Sequence, residues 1–163
     1  MAKSETAIFA AGCFWGVQAY FDQVPGVTET EVGYIGGHTD HPTYEQVCSH
    51  STGHAEATKV TFDAGKVSFE TLLKQFFRMH DPTQMNRQGP DVGDQYRSAI
   101  FYLDEDQKEQ AQRVIDQLNK SQFDGKIVTK LEKAGEFWRA EDYHQKFTER
   151  TGHGMCHIPY AAV

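Results

Sequence analysis

A cysteine followed by two aromatic rings and flanked by glycines, Gly12-Cys13-Phe14-Trp15-Gly16, is the stretch of this chain best equipped for chemistry. Cys13 comes where a short apolar run, Thr6 to Ala11, ends and the helix-like spacing of Val17, Tyr20 and Phe21 begins. A sulfur at a strand-to-helix turn meets unpaired N–H groups and the positive end of the helix dipole, and both favour thiolate over thiol. Such a sulfur is a nucleophile at neutral pH. Gly12 and Gly16 let backbone or substrate come close, while Phe14 and Trp15 set two aromatic faces beside the sulfur and make an apolar mouth. Taken alone, these residues also fit a buried cysteine that acts as a small hydrophobe at the start of a core helix.

The elements that must position the thiol are readable in order. Val24-Pro25-Gly26-Val27 is a turn, and Val27 to Ile35 alternates as a strand that Gly36-Gly37 closes. After the polar loop His38 to Pro42, Thr43 caps a short helix ending at Cys48. Ala55 to Phe62 alternates with period two, so Glu56 begins a strand on the same face as Thr58, Val60 and Phe62. Ser68 to His80 is an amphipathic helix with Phe69, Leu72, Leu73, Phe76 and Phe77 on one stripe, stopped by Asp81-Pro82. Thr83 to Gln95 has no periodicity, and a loop of that length inside a domain is read as functional; it feeds the strong strand Tyr96 to Leu103. Glu105 to Gln122 is a charged helix with Ala111, Val114, Ile115 and Leu118 as its seam. Ile127 to Glu132 is predicted as a strand joined by a short turn to Phe137-Trp138. Glu141 to Arg150 is predicted as a last short helix carrying Tyr143 and Phe147, and the glycine-rich tail from Thr151 as mobile. Alternating strands and helices give an α/β (α+β) class, a mixed or antiparallel sheet with helices packed on it.

At 163 residues and 39% hydrophobic content, the chain is expected to form one domain spanning 1–163, since no Pro/Gly/Ser-rich linker divides it. A net charge of −7 without a basic cluster argues against nucleic acid or an anionic membrane as partner. No signal-like N-terminal run and no stretch of about 18 apolar residues is present, so a cytoplasmic monomer is expected. Three cysteines, Cys13, Cys48 and Cys156, form no disulfide-framework spacing, which suits catalytic or redox thiols in a reducing compartment. The histidines show no clean four-ligand spacing, so no metal is expected.

Four blocks, G-C-F-W-G at 12–16, Y-E-Q-V-C at 44–48, G-H-A-E at 53–56 and G-P-D-V-G-D-Q-Y-R-S at 89–98, together resemble the A-type peptide methionine sulfoxide reductases. The likeness runs from about the first strand to the C-terminal tail. It implies a two-layer sandwich whose sheet is of ferredoxin-like plait, and reduction of methionine S-sulfoxide, free or in oxidised proteins. It also implies no cofactor beyond an external dithiol, with thioredoxin as partner. Carried over by position, Cys13 is the nucleophile, Glu56 the proton donor, and Phe14 with Trp15 the pocket for the substrate methyl group. Tyr44, Tyr96 and Asp91 hold the sulfoxide oxygen and shape the site, and Cys156 is the recycling thiol. Pro90 and Asp94 stand where other residues are more usual, and a second recycling cysteine found in some members is missing, which implies a single resolving disulfide.

The chemistry is coherent on its own terms. A thiolate attacking the sulfoxide sulfur drives negative charge onto oxygen, a poor leaving group unless protonated, so an acid must face the nucleophile. Glu56 can serve only if burial lifts its pKa toward neutrality. The Tyr44 and Tyr96 hydroxyls can donate to the same oxygen. A second thiol then condenses with the Cys13 sulfenic acid, and Cys156 is the better suited, because Gly152 and Gly154 let its tail swing in. Cys48, at the end of an apolar-faced helix, reads as a packed core thiol, and Arg97 as half of a structural ion pair. Two other readings stay open at this stage: a cysteine hydrolase with His54 as base, and a non-catalytic redox-sensing module.

Overall fold

A computed structural model describes residues 3–49, 51–88 and 91–151. Strand β1 (Ser4–Ala11) is the axis of the sheet, and its period-two pattern decides what lies on either side. Ala7, Phe9 and Ala11 face the helices, whereas Ile8 and Ala10 face the other way. β1 is flanked by two antiparallel partners, β3 (Ala55–Asp63) and β6 (Ser98–Tyr102). Beyond β3 lies β2 (Val27–Ile35), again antiparallel. The order β6-β1-β3-β2, with α1 (Phe14–Asp22) joining β1 to β2 and α3 (Phe69–Met79) joining β3 to β6, is the ferredoxin-like plait expected from the sequence. Two edge strands extend it: β7 (Lys130–Lys133), parallel to β6, and β8 (Trp138–Arg139), antiparallel to β2. A two-residue hairpin, β4 (Arg87–Gln88) with β5 (Asp91–Val92), stands apart.

Both crossover helices and α4 (Glu105–Ser121) pack on one face of the sheet. The stripe Phe69, Leu72, Leu73, Phe76 and Phe77 of α3 meets Phe9, Val60 and Phe62 of the sheet, and Ala111, Val114 and Ile115 of α4 close the layer. Each fully buried apolar side chain contributes about 1.5–3 kcal/mol of transfer free energy. Ser68 caps α3 by accepting from the Thr71 N–H, and Asp104 caps α4 by accepting from the Gln107 N–H. On the opposite face Ile8, Ala10, Ile35, Ala55, Ala57, Ala99 and Phe101 are covered by Ala134 and Phe137, from the segment between β7 and β8. Gly33 permits that covering: a Cβ there would meet the Trp138 carbonyl oxygen at 2.4 Å.

Three predicted elements differ from the observed ones. The strand expected over 127–132 begins only at Lys130, because the Ile127 N–H donates to the Asn119 side chain and the Val128 N–H to the Pro82 carbonyl, which uses them as a connector. The helix expected over 141–150 is two pieces, a 3-10 turn at Asp142–His144 and α5 (Phe147–Thr151), parted at Lys146, whose φ of 56° lies in the left-handed region. The aperiodic segment 83–95 contains the β4–β5 hairpin and leads into a 3-10 turn at Asp94–Tyr96. The tail expected to be mobile lies outside the described residues from 152 onward.

Candidate active site

β1 ends at Ala11, Gly12 turns the chain with φ 95°, and Cys13 is the N-cap of α1, its carbonyl accepting from the Val17 N–H. The Cys13 side chain makes no capping hydrogen bond, and the first turn of α1 carries no acidic residue. The positive end of the helix is thus presented to the sulfur, which is 7% exposed. Phe14 is fully buried between the Tyr34 and His144 rings, at centroid distances of 5.7 and 5.2 Å. Trp15 is half-buried and stacks on Phe147 at 4.0 Å, with Tyr44 at 6.5 Å beyond. Phe14 is thus closed off from solvent, and Trp15 keeps part of its surface accessible.

Glu56 stands on the helix-facing side of β3, directly across from Tyr34 on β2, and is 1% exposed. Its Oε1 accepts from the Phe14 N–H at 3.3 Å and its Oε2 from the Gln95 amide at 3.1 Å. Both donors are neutral, so the buried carboxyl gains hydrogen bonds without a formal counter-charge from them. The Phe14 contact ties the carboxyl to the residue that follows Cys13.

Tyr44 begins the short helix α2 (Tyr44–Cys48), which Thr43 and Gln46 lock in a reciprocal capping box. Tyr96 ends the 3-10 turn that starts at Asp94. Burial first, then the negative charge of Glu56, pushes both phenols well above the ordinary tyrosine value, so both keep their protons. Cys13, Cys48 and Asp91 also act on Tyr96, so three of the expected site residues, Cys13, Glu56 and Asp91, lie within electrostatic reach of one hydroxyl. Cys48 differs from the expected core thiol: it is half-buried, hydrogen-bonds with the Tyr44 side chain and accepts from the Gln95 amide at 3.4 Å. Cys156 lies outside the described residues.

The segment between β8 and α5 supplies partners that were not foreseen. Glu141 accepts from the Tyr34 hydroxyl at 2.8 Å and the Tyr44 N–H at 3.0 Å. Burial pushes its carboxyl up, but these hydrogen bonds and the neighbouring His144 outweigh that and leave it below the usual range. His144 is fully buried and accepts the Trp15 indole N–H on Nδ1 at 2.9 Å. Burial holds its imidazole below the ordinary histidine value, against the opposing pull of Glu141. Gln145 bonds both the N–H and the carbonyl of Val32, pinning the segment to the sheet edge. Gln95 was missed although it lies inside the 89–98 block. His144 was one histidine among eight, and no spacing marked it.

His54 cannot act as a base toward Cys13, because Nδ1 accepts from the Gly37 N–H at 3.0 Å and Nε2 lies 2.7 Å from the Thr39 carbonyl. Arg97 is the structural residue expected, holding the Gly53 and Asp94 carbonyls and lying 3.5 Å from Glu132. Among the described residues no three His, Cys, Asp or Glu side chains are grouped to hold a metal. A cleft of about 850 Å³ lies elsewhere, between the C-terminal ends of α3 and α4, and includes neither Cys13 nor Glu56.

A family model described as peptide methionine sulfoxide reductase matches residues 5–163. The chain is 52% identical over 159 residues to a peptide methionine sulfoxide reductase of Acidobacterium capsulatum, covering 97% of this chain and all of that one. Among solved structures it is similar to methionine sulfoxide reductase A of Corynebacterium diphtheriae, with a TM-score of 0.87, 35% identity, and 96% and 83% of the two chains covered. It is similar too to reduced Mxr1 of Saccharomyces cerevisiae, with a TM-score of 0.86, 31% identity and 98% and 90% coverage. Mxr1 has also been solved in complex with Trx2.

Proposed function

The chain belongs to the peptide methionine sulfoxide reductases, enzymes that return methionine sulfoxide to methionine, and from that premise we propose which of its residues carry the reaction. Cys13 attacks the sulfoxide sulfur as a thiolate while Glu56 gives its proton to the sulfoxide oxygen. The bond this attack forms between the two sulfurs then breaks together with the substrate S–O bond as the protonated oxygen passes to Cys13 as hydroxyl, leaving methionine, a sulfenic acid and the Glu56 carboxylate. Tyr44 and Tyr96 donate to the developing oxygen charge, with Asp91 shaping the loop beside them, and Phe14 and Trp15 receive the substrate methyl group. The substrate is the S epimer, free or within a protein.

The Cys156 thiol then displaces water from the sulfenic acid to form a disulfide, and thiol–disulfide exchange with a thioredoxin restores both thiols as the thioredoxin is oxidised. The complex of Mxr1 with Trx2 supports that reductant. The anchoring of the chain ahead of Cys156 supports its role as the recycling thiol: Phe147 is stacked on Trp15, and the Thr148 hydroxyl bonds the Trp15 carbonyl. Cys156 follows Thr151 by five positions, a reach of up to about 17 Å. The reading includes a monomer acting in the cytoplasm, in keeping with cysteines that lack disulfide-framework spacing.

The observation that carries the assignment is the hydrogen bond from the Phe14 N–H to Glu56, which sets a buried acid against the nucleophile's own turn. Dithiothreitol-driven turnover of methionine S-sulfoxide tests it: Cys13→Ser should abolish methionine formation, and full activity in that variant ends the reading.

A further inference from the structure

Gln95 is 1% exposed, and its side chain is turned to serve others. Nε2 donates one hydrogen to Glu56 Oε2 at 3.1 Å and the other to Cys48 Sγ at 3.4 Å, while Oε1 is buried without a hydrogen-bond partner. Turning the amide over would set Oε1 against Glu56 Oε2, which is tolerable only with a proton held between them. The observed orientation leaves the amide oxygen unsatisfied and keeps a donor on the carboxyl.

We propose that Gln95 is a positioning residue that keeps Glu56 Oε2 as the proton-free carbonyl oxygen, so that Oε1, on the side of the nucleophile's turn, carries the proton to the sulfoxide oxygen. This deepens the reading of Glu56 as the acid and rests on it. The two oxygens of a protonated carboxyl differ: the carbonyl oxygen is the strong acceptor and the hydroxyl oxygen the weak one. The shorter contact, from Gln95, falls on Oε2, and the longer one, at 3.3 Å from the Phe14 N–H, on Oε1. As the proton leaves Oε1, both donors remain in place and stabilise the carboxylate that forms, an interaction stronger after transfer than before it. Glu56 regains its proton from solvent once the product has left.

Tyr34, Tyr44 and Tyr96 interact with this carboxyl, and other ionisable groups lie around them. Cys13 heads α1, Tyr34 lies opposite on β2 with Glu141 behind it, Tyr44 and Cys48 come from α2, and Asp91 and Tyr96 from the hairpin and turn. All are retained in the two variants that test the proposal, Gln95→Met, which removes both donors at similar length, and Gln95→Glu, which sets a second carboxyl in the same place.

The measurement is single-turnover formation of methionine from free methionine S-sulfoxide as a function of pH. The alkaline limb of the profile marks loss of the Glu56 proton. Without the Gln95 donor the carboxylate loses a stabilising hydrogen bond, so in Gln95→Met the limb moves to higher pH by about one unit and the rate below it falls about tenfold. In Gln95→Glu the limb also moves up, because a like charge opposes ionisation. A limb that stays in place in both variants overturns the proposal, even if the rate falls uniformly, since that is what a merely structural role produces. Should Gln95→Met fail to fold, Gln95→Glu decides alone. Glu56→Gln separates the two levels: full activity there removes the acid itself, whereas an inactive Glu56→Gln with an unmoved limb in the Gln95 variants removes only the positioning role.

Discussion

The indole N–H of Trp15 donates to Nδ1 of His144 at 2.9 Å, which fixes the half-buried ring two residues after Cys13 to a residue 129 positions later in the chain. With Nδ1 accepting, a neutral imidazole carries its proton on Nε2. Protonation of the ring replaces the acceptor with a second donor and breaks the contact.

His144→Phe keeps an aromatic ring beside Phe14 but leaves the part-buried indole N–H without its acceptor, a loss of about 1 kcal/mol. On the proposed role of Trp15, KM for methionine sulfoxide should rise about tenfold while kcat changes less. In a Trp138→Phe background the Trp15 emission should respond to pH below the ordinary histidine value, and His144→Phe should abolish that response. Steady-state kinetics and fluorescence titration check both.

Acid should weaken the fold in two stages. His144 has a folded pKa below its unfolded value of about 6.5, so below that pH the unfolded chain takes up a proton that the native state resists, and stability falls. Glu141 is likewise depressed, so its contribution is full above the unfolded value of about 4.3 and is lost as pH drops through the folded one. Urea midpoints measured against pH should show the upper stage removed by His144→Phe and the lower one by Glu141→Gln.

Helix α2 has five residues, too few to hold itself in water, so the capping box sustains the platform for Tyr44 and Cys48. Thr43→Ala should cost about 1 kcal/mol locally. Native-state hydrogen exchange at the Gln46 amide should then quicken about fivefold or more, and the sulfoxide reaction should slow with it.

Phe9 is fully buried, with the Phe21 and Phe76 rings each 5.2 Å away and Phe69 at 6.1 Å. Phe9→Ala should lose about 3–5 kcal/mol in urea unfolding. Met85→Ala, at a residue 56% exposed, should stay within about 0.5 kcal/mol of the parent.

Local signals were legible where local physics decides. Ser68 and Thr43 cap the helices they were expected to cap, and the alternation around Glu56 placed it on the face that carries Val60 and Phe62. What was not legible depends on distant partners. Gln95 meets Glu56 across 39 positions and His144 meets Trp15 across 129, and a polar residue in a loop looks the same whether it faces water or a buried carboxyl. The break at Lys146 was equally hidden, because its N–H is taken by the side chain of Gln18 on α1 at 2.7 Å. Cys48 looked like core filling because an apolar neighbour, Val47, shares its short helix, while the Gln95 amide that bonds its sulfur comes from a distant turn.

The sulfur at the head of α1 occupies the place where serine, threonine or aspartate would secure a helix, and it offers no such hold. A more rugged protein therefore lies one atom away: Cys13→Ser supplies a capping oxygen where the Cys13 side chain gives none and should melt later than the parent while reducing nothing. Robustness and reactivity compete for the same position, and in this chain reactivity holds it.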